Sequence, residues 1–554
     1  MRYFLVLALA LGLAGAASAQ SNTSTITQSN QHNDAVVDQN GSAATSTVTQ
    51  SGNGTNDSRM NRVRVTQDGA GASSTVSQAG SDRNEAEVIQ NGDNASLVEQ
   101  TGTSLGAEVR QTGDFNDSHV LQRGNSSQVG NPLNGSAAGV IQTGDNNTSL
   151  VDQDPSTYAT TNVDQTGNFN GSTVIQEVTG GAGGNRSTAN VDQLGDHNAS
   201  NVTQTSSTNN ARLDASVLQD GNFNTSALTQ NGQDNTAAVS QDGDNHASTL
   251  TQSAEDAMAT VDQTGNNQTS FVTQQDDAGA TATVRQGNGV SGSQFNTSNV
   301  TQNALNAIAD VTQEGSYNVS EVTQGRTAGT AYQTNGQEAL ILQTGDSNSS
   351  FATQTGSSGE LVVFQSGDVN VSTAVQSGFA NESGDIGSLA AGVNQSGAFN
   401  ESTITQSGQL SSALVDQMGD YGFASITQSV NNAPNPAGGP DPLVSTASIE
   451  QAGSDHSSTI VQFGGNDTQS ARLMDATSVQ SGTGNNSFIS QTNSLIDATA
   501  SGNVALSTQM GDYGLSTIIQ DGVGHSATLS QGGSYNTSTI NQTAVSNSAT
   551  VTQN

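Results

Sequence analysis

The chain has 554 residues, of which 31% are hydrophobic. Globular proteins normally contain roughly 45–50% apolar residues, so a conventional apolar core is excluded. Cysteine is absent, which excludes a disulfide scaffold. The net charge is −37 and the 12 basic residues are all Arg, which argues against electrostatic binding of nucleic acid or anionic lipid. Low hydrophobicity with high net charge is typical of disordered chains. An internal repeat is the feature that can instead indicate a folded chain, so the fold class is judged from the repeat.

The N-terminus carries the features of a secretory signal peptide over residues 1–19. Arg2 supplies the positive charge, Tyr3–Leu13 form an apolar stretch too short for an ordinary membrane helix, and Ala17–Ala19 match the A-x-A cleavage pattern. We therefore expect cleavage after Ala19 and a secreted mature chain that begins at Gln20. No later stretch reaches the roughly 20 apolar residues of a membrane helix, so we expect no membrane span.

A Gln recurs mostly every eleven residues from Gln28 to Gln553, with Ser or Ala four positions before it and Val, Leu or Ile two positions before it. These three positions share one face of a strand, because successive strand side chains point to opposite sides. The inward face is therefore predicted to combine small, aliphatic and amide side chains. The Gln residues assigned to this structural ladder are Gln28, Gln39, Gln50, Gln193, Gln204, Gln219, Gln230, Gln241, Gln252, Gln263, Gln274, Gln395, Gln406, Gln417, Gln531, Gln542 and Gln553.

The small residue alternates between Ser and Ala in successive strands, which we name Ser-type and Ala-type strands. This alternation doubles the repeat to about 22 residues, or one coil of two strands. The sequence predicts an all-β fold, a cross-β β-solenoid of about 21 coils in which each strand pairs with its counterpart one coil away. A column of Gln amides can then donate and accept hydrogen bonds along the axis, which satisfies the polar groups of the core.

The connections predict how the coils are joined. Ala-to-Ser connections keep the spacing and read Q-x-G-x-x-N, where Gly permits positive φ in a tight turn and Asn suits the turn exit. The predicted turn residues include Gly195, Asn198, Gly221, Asn224, Gly397, Asn400, Gly533 and Asn536. Insertions follow Ser-type strands, except between Gln286 and Gln302, and Gln333 is assigned to an insertion. The solenoid is expected over residues 20–430 and 443–554, with a Pro-rich inserted loop over residues 431–442.

The pattern N-x-[AS]-x-[VLI]-x-Q-x-G, repeated from about Gln20 to Asn554, resembles the curlin repeat of curli fibre subunits. The likeness rests on inward Gln, turn Gly and turn Asn residues such as Gln219, Gln241, Gly221, Gly243, Asn224 and Asn235. The resemblance implies a functional amyloid in an extracellular curli-like fibre, or pilus, on the surface of a Gram-negative bacterium. It also implies export through a curli-type outer-membrane pore and seeding by a nucleator subunit. The many repeats, the inserted loops and the early first strand at Ser21–Gln28 depart from curli subunits.

Both predicted ends of the solenoid expose unpaired strand edges, because the first strand follows the cleavage site closely and the last ends at Gln553. Such edges template the addition of another chain. We therefore expect self-association into fibres. The predicted function is that of a structural subunit of an extracellular amyloid fibre that serves cell adhesion and biofilm formation.

Catalytic chemistry is not expected. The six His residues lack metal-ligand spacing and are assigned to turns: His32, His119, His197, His246, His456 and His525. No G-x-S-x-G motif with an accompanying His is found. The sequence therefore predicts no enzyme, no metal site and no cofactor. Acidic residues at turns and directly before the Gln are interpreted as solvated charges, with divalent cations bridging neighbouring rods as the alternative.

Two other functions stay open at this point. Outward Thr pairs could form a flat array that binds ice or a carbohydrate crystal, although Ile, Asp, Glu and Ala interrupt them at many coils; such pairs are Thr25 and Thr27, Thr47 and Thr49, and Thr249 and Thr251. The chain could also be a monomeric cell-surface adhesin whose inserted loops bind a target.

Overall fold

Alternation of buried and exposed residues defines the strands. In Leu213–Asp220, for example, the four alternate residues from Leu213 to Gln219 are buried and the four between them are exposed. Val, Ile and Thr are frequent in these segments and favour the extended conformation. The regular structure of the described residues is entirely β.

The computed structural model describes residues 21–52, 60–80, 83–125, 128–129, 139–179, 187–208, 211–275, 278–287, 294–325, 336–357, 359–379, 382–385, 390–409, 411–431, 445–464, 474–493 and 502–554. The predicted signal peptide, Gln333 and all but Asn431 of the Pro-rich segment 431–442 lie outside these residues. By internal contacts the chain divides into two compact units, Met1–Gln176 and Glu177–Asn554.

The strands β1 to β13 and most of β14, up to Gln176, belong to the first unit. They are β1 (Thr23–Gln28), β2 (Asn33–Gln39), β3 (Thr45–Gln50), β4 (Asn61–Gln67), β5 (Ser73–Ala79), β6 (Glu85–Asn91), β7 (Ala95–Thr103), β8 (Gly106–Thr112), β9 (Asp117–Asn125), β10 (Gln128–Val129), β11 (Val140–Thr143), β12 (Thr148–Thr157), β13 (Ala159–Thr166) and β14 (Gly171–Val178).

The strands β15 to β45 belong to the second unit. They are β15 (Ser187–Leu194), β16 (Ala199–Ser206), β17 (Leu213–Asp220), β18 (Thr225–Asn231), β19 (Asn235–Asp244), β20 (Ala247–Gln252), β21 (Met258–Asn266), β22 (Thr269–Gln274), β23 (Thr281–Gln286), β24 (Thr297–Asn303), β25 (Ile308–Glu314), β26 (Val319–Gly325), β27 (Glu338–Thr344), β28 (Ser349–Ser357), β29 (Glu360–Ser366), β30 (Val371–Phe379), β31 (Glu382–Asp385), β32 (Ala390–Ala391), β33 (Val393–Ser396), β34 (Glu401–Gln409), β35 (Ser411–Asp420), β36 (Phe423–Asn431), β37 (Ser445–Ser454), β38 (Ser457–Gly464), β39 (Met474–Thr483), β40 (Asn486–Asn493), β41 (Asn503–Asp512), β42 (Leu515–Val523), β43 (Ser526–Gly532), β44 (Thr537–Val545) and β45 (Ser548–Gln553).

Within each unit the Ser-type strands form one parallel sheet and the Ala-type strands form another. β16 pairs with β18 so that Gln204 lies beside Gln230, and β17 pairs with β19 so that Gln219 lies beside Gln241. Like residues therefore stack on like residues along each sheet. Among the described residues, Ser-type strands, counted by their place in the coil, number seven in the first unit and fourteen in the second. The predicted β-solenoid with two strands per coil and about 21 coils is confirmed.

The core lies between the two sheets and consists of the inward columns. Val239 and Leu250, each two positions before a ladder Gln, are 2% and 0% exposed. The Gln that follows each of them is equally buried. Because a buried Gln follows the buried aliphatic residue in each of these strands, the core depends on hydrogen bonds as well as on apolar burial.

Candidate functional site

The inward Gln side chains form continuous amide ladders within each unit. The Nε2 of Gln219 donates to Oε1 of Gln241 at 2.8 Å, and the Nε2 of Gln241 donates to Oε1 of Gln263 at 2.9 Å. Among the described residues these amide–amide distances lie between 2.7 and 3.0 Å, and wherever two Gln residues are bonded in this way the Nε2 of one donates to the coil on its C-terminal side. The ladders therefore have one sense of direction.

The structure places all the predicted ladder residues in such columns. In the first unit Gln28 and Gln50 share the Ser-type column and Gln39 lies in the Ala-type column. In the second unit the Ser-type column includes Gln204, Gln230, Gln252, Gln274, Gln406 and Gln542. Its Ala-type column includes Gln193, Gln219, Gln241, Gln263, Gln395, Gln417, Gln531 and Gln553.

The second amide hydrogen ties the two sheets together. Gln241 in an Ala-type strand donates to the carbonyl oxygen of Thr225 at 2.9 Å, and Gln252 in a Ser-type strand donates to that of Thr236 at 3.0 Å. Each carbonyl belongs to the opposite sheet. A single Gln thus stabilises both the stacking of coils and the packing of sheets, and its buried donors are satisfied.

A second ladder of Asn side chains runs along the turns. The backbone N–H of Asn224 donates to Oδ1 of Asn198 at 3.0 Å, and Nδ2 of Asn224 donates to the carbonyl oxygen of Gly243 at 2.7 Å. Asn198 makes the equivalent bond to the carbonyl oxygen of Gly221 at 2.8 Å. Each Asn is thus hydrogen-bonded both to the turn of the preceding coil and to the turn of the following coil.

The other predicted turn residues take the same places. Nδ2 of Asn400 donates to the carbonyl oxygen of Gly419 at 2.7 Å, whereas that of Asn536 donates to the carbonyl oxygen of Gly532. The turn glycines lie in the left-handed region of backbone conformation, with φ of +109° at Gly195, +125° at Gly221, +108° at Gly397 and +80° at Gly533.

Close approach of the next coil adds a second requirement for glycine. A Cβ added at Gly221 would lie 2.0 Å from the carbonyl oxygen of Gly243. No side chain fits at this distance, so both the conformation and the packing of the turn demand glycine.

Sequence reasoning missed a column of exposed aromatic residues in the same turns. The residue before the turn Asn, or before Gly422 and Gly514 where Gly replaces that Asn, has φ near +60°, a region in which bulky side chains are rare, yet it is often Phe or Tyr. Neighbouring rings stack: the ring centroids of Phe399 and Tyr421 lie 5.0 Å apart, and those of Tyr513 and Tyr535 lie 5.2 Å apart. The signal was an aromatic residue directly before Asn in the Q-x-G-x-x-N pattern.

The assignment of all six His residues to turns was only partly correct. His119 lies within strand β9, so its assignment to a turn is wrong. His246, His456 and His525 do lie in turns, but their side chains are buried in the position that Asn occupies in most other coils. The His-for-Asn replacement at the fifth residue after the Gln was visible in the sequence and was overlooked.

Outward acidic residues occupy cross-strand stacks on the sheet surface. Burial raises the pKa of Asp416, and the neighbouring carboxylate of Glu450 raises that pKa further, although a hydrogen bond from Asn394 opposes the shift. Burial and the nearby Asp220 likewise raise the pKa of Asp192. Within the described residues, no three His, Cys, Asp or Glu side chains are grouped so that they could hold a metal ion.

The outward Thr residues do not repeat evenly. In the first unit Thr47 lies between Thr25 and Thr75, but in the second unit the neighbours of Thr249 are Ala227 and Phe271. The described strands of the second unit thus lack a continuous flat Thr array at this position.

The described part of the chain contains no helix with the length and apolarity needed to cross a membrane.

The sequence profile of the curlin associated repeat matches the chain at residues 211–243 and 232–275. These residues form β17 to β22, where the eleven-residue spacing of the Gln ladder is uninterrupted. No curated protein matches the chain. The repeat expected from the sequence is therefore confirmed over residues 211–275, which match the curlin associated repeat.

Proposed function

We propose that the chain is a structural subunit of an extracellular, curli-like amyloid fibre that serves cell adhesion and the formation of a biofilm matrix. Curlin repeats are structural units of extracellular curli fibres, so the repeat implies secretion and self-association rather than catalysis. Export through a curli-type outer-membrane pore, seeding by a nucleator subunit and display on a Gram-negative cell surface belong to the same proposal.

The observation that carries the proposal is the in-register stacking of identical groups. Each described coil presents backbone N–H and C=O groups and Gln amides to the next coil in the same positions, and most also present a turn Asn side chain. A coil of a second copy can satisfy these groups in the same way as a coil of the same chain. Stacking between copies therefore needs no chemistry beyond that already present within one copy.

The test is the assembly of purified residues 20–554. We expect fibres in negative-stain microscopy and a meridional reflection at about 4.8 Å in fibre diffraction. A variant that replaces Gln241 and Gln252 with Leu should assemble more slowly, whereas replacing the outward Ser240 and Thr251 with Ala should have little effect. Separate rods that never elongate at high concentration would contradict the fibre proposal and support the monomeric adhesin.

The role in adhesion needs a separate test in cells. Bacteria that lack the chain should produce less extracellular fibre and attach less firmly to a surface, and the wild-type chain should restore both. Restoration of fibres without restored attachment would leave a structural subunit with no part in adhesion.

A further inference from the structure

Three buried His side chains occupy the Asn ladder. His246, His456 and His525 each follow a ladder Gln by five residues, and each is 1–2% exposed. Their backbone and side-chain contacts reproduce those of Asn: the N–H of His246 donates to Oδ1 of Asn224 at 2.9 Å, and the N–H of His525 donates to Oδ1 of Asn503 at 3.0 Å. The imidazole is thus a member of the ladder.

The two ring nitrogens have opposite roles. Nδ1 of His246 accepts the backbone N–H of Gln268 at 3.3 Å, and Nε2 lies 3.2 Å from the carbonyl oxygen of Asp242. Only the neutral tautomer with its proton on Nε2 satisfies both contacts. Nδ1 of His456 likewise accepts the N–H of Asn485 at 3.4 Å, and its Nε2 lies 3.0 Å from the carbonyl oxygen of Ala452.

The third His repeats this arrangement in a Ser-to-Ala turn. Nδ1 of His525 accepts the backbone N–H of Asn547 at 3.4 Å, and Nε2 lies 3.2 Å from the carbonyl oxygen of Asp521. A proton on Nδ1 would face an N–H donor in all three coils. Protonation would therefore break the hydrogen bond to the next coil and leave a positive charge in a buried turn.

Acidic neighbours do not remove this penalty. The backbone carbonyl groups of Asp242 and Gly265 favour the charged imidazole, as do the carboxylates of Asp242 and Asp244 at the end of β19. Asp220 of the preceding coil pairs in register with Asp242. The following coil places the uncharged Thr264 and Asn266 beside them. Burial nevertheless prevails and lowers the pKa of His246.

The surroundings of the other two His residues are similar. Asp455 favours the charged form of His456, and the backbone N–H of Asp455 donates to the carbonyl oxygen of Asp420 in the preceding coil. Burial still lowers the pKa of His456. Beside His525, Asp521 pairs in register with the uncharged Thr492 and Thr543.

We propose that His246, His456 and His525 make three turns of the solenoid acid-sensitive, so that mildly acidic conditions open these turns and slow the stacking of coils. The effect on stacking rests on the fibre proposal, but the opening of the turns does not. For His246 and His456, whose folded-state pKa is lowered by burial, the stabilising contacts are complete above the ordinary pKa near 6.5 and are lost as the pH falls below it. The pKa of the Asp416 carboxyl is raised above its ordinary value of 3.8, so this group has the opposite effect: it destabilises the fold at neutral pH, and the penalty disappears as the pH falls towards 3.8.

The experiment is hydrogen exchange, read by mass spectrometry, on the soluble mature chain at pH 7.5 and 5.5, corrected for intrinsic exchange. Peptides that contain the N–H groups of Gln268 and Asn485 should lose protection by about tenfold at pH 5.5 relative to pH 7.5. The peptide that contains the N–H of Asn547, which donates to Nδ1 of His525, is followed in the same samples and should lose protection in the same direction. The triple variant His246→Asn, His456→Asn, His525→Asn should keep its protection, because Asn occupies this position in most coils.

The control is His197→Asn, which changes an exposed turn His and should retain the wild-type pH response. Equal pH responses in the wild type and the triple variant would overturn the proposal, even if both form fibres. Should the triple variant fold poorly at pH 7.5, each single Asn variant would be measured at its own turn. Wild-type protection that does not change between pH 7.5 and pH 5.5 would also contradict the proposal, whether or not the chain forms fibres.

Discussion

Gln219 and Gln241, 22 positions apart in the chain, are joined by an amide–amide hydrogen bond of 2.8 Å between Nε2 and Oε1. The next bond, from Gln241 to Gln263, has the same sense. Because successive amide dipoles align head to tail, each bond polarises its neighbours. The ladder therefore links the stability of each coil to that of the coils on both sides.

Replacing Gln241 with Leu tests this link. The change would keep a large side chain but leave Nε2 of Gln219 and Oε1 of Gln263 without their ladder partners. Each unsatisfied buried group costs about 1–3 kcal/mol, so we expect β17, β19 and β21 to lose at least tenfold in hydrogen-exchange protection. The outward Ser240→Ala variant should change stability by less than about 0.5 kcal/mol. Equal effects of the two changes would show that the ladder contributes little.

The turn glycines give a second test. A Cβ at Gly221 would lie 2.0 Å from the carbonyl oxygen of Gly243, whereas a Cβ at Gly325 would meet no atom within 4 Å. Gly221→Ala should therefore disrupt the turn and destabilise the adjacent coils by more than about 2 kcal/mol. Gly325→Ala should be close to neutral. Urea denaturation of the two variants compares them directly, and a tolerated Gly221→Ala would mean that the coils can separate at this turn.

The stacked acids give a prediction about pH. Asp416 pairs in register with Glu450 and accepts a hydrogen bond from Nδ2 of Asn394 at 3.1 Å. Because the folded-state pKa of Asp416 is raised, its charged form destabilises the fold at neutral pH, and this penalty is absent below the ordinary value of 3.8. Asp416→Asn should therefore raise stability at pH 7 by about 0.2–1 kcal/mol, and the gain should vanish near pH 3.

Asp310 supplies a matched acidic control for Asp416. Its carboxylate accepts hydrogen bonds of 3.0 and 3.3 Å from Arg285. Asp310→Asn should thus lower stability at pH 7, by less than about 1 kcal/mol because the pair is exposed. Thermal unfolding of both variants at pH 7 and pH 3 shows whether each substitution raises or lowers stability. If both substitutions raised stability at pH 7, the reduced net charge alone would explain the effect.

The net charge of −37 gives a prediction about assembly. Copies of the chain repel one another, and salt shortens the range of this repulsion from about 10 Å at 0.1 M to about 3 Å at 1 M. The lag before fibre growth should therefore shorten as NaCl is raised. Calcium chloride at matched ionic strength should give the same lag, and a much shorter one would support divalent bridging between acidic faces.

Short-range patterns made the strands and the ladder predictable. Val217 and Gln219 lie two positions apart, and two residues on one face of a strand must share its environment. The turn glycines were predictable for the same reason, since the need for positive φ is local. The burial of His246 was not predictable in this way, because it follows from the Asn ladder above and below the residue rather than from its neighbours in sequence.

By itself the sequence determined which residues form strands, which side chains point inward and how many coils are wound, because these follow from spacings of 2 and 11 residues. Only the tertiary structure decided the direction of the amide ladders, the approach of Gly221 to Gly243 and the tautomer required of the buried His residues. These features depend on contacts between residues 21 to 34 positions apart, and the tautomer depends in addition on a carbonyl oxygen four residues before each His. The separation varies with the length of each insertion, so no fixed interval in the sequence encodes them.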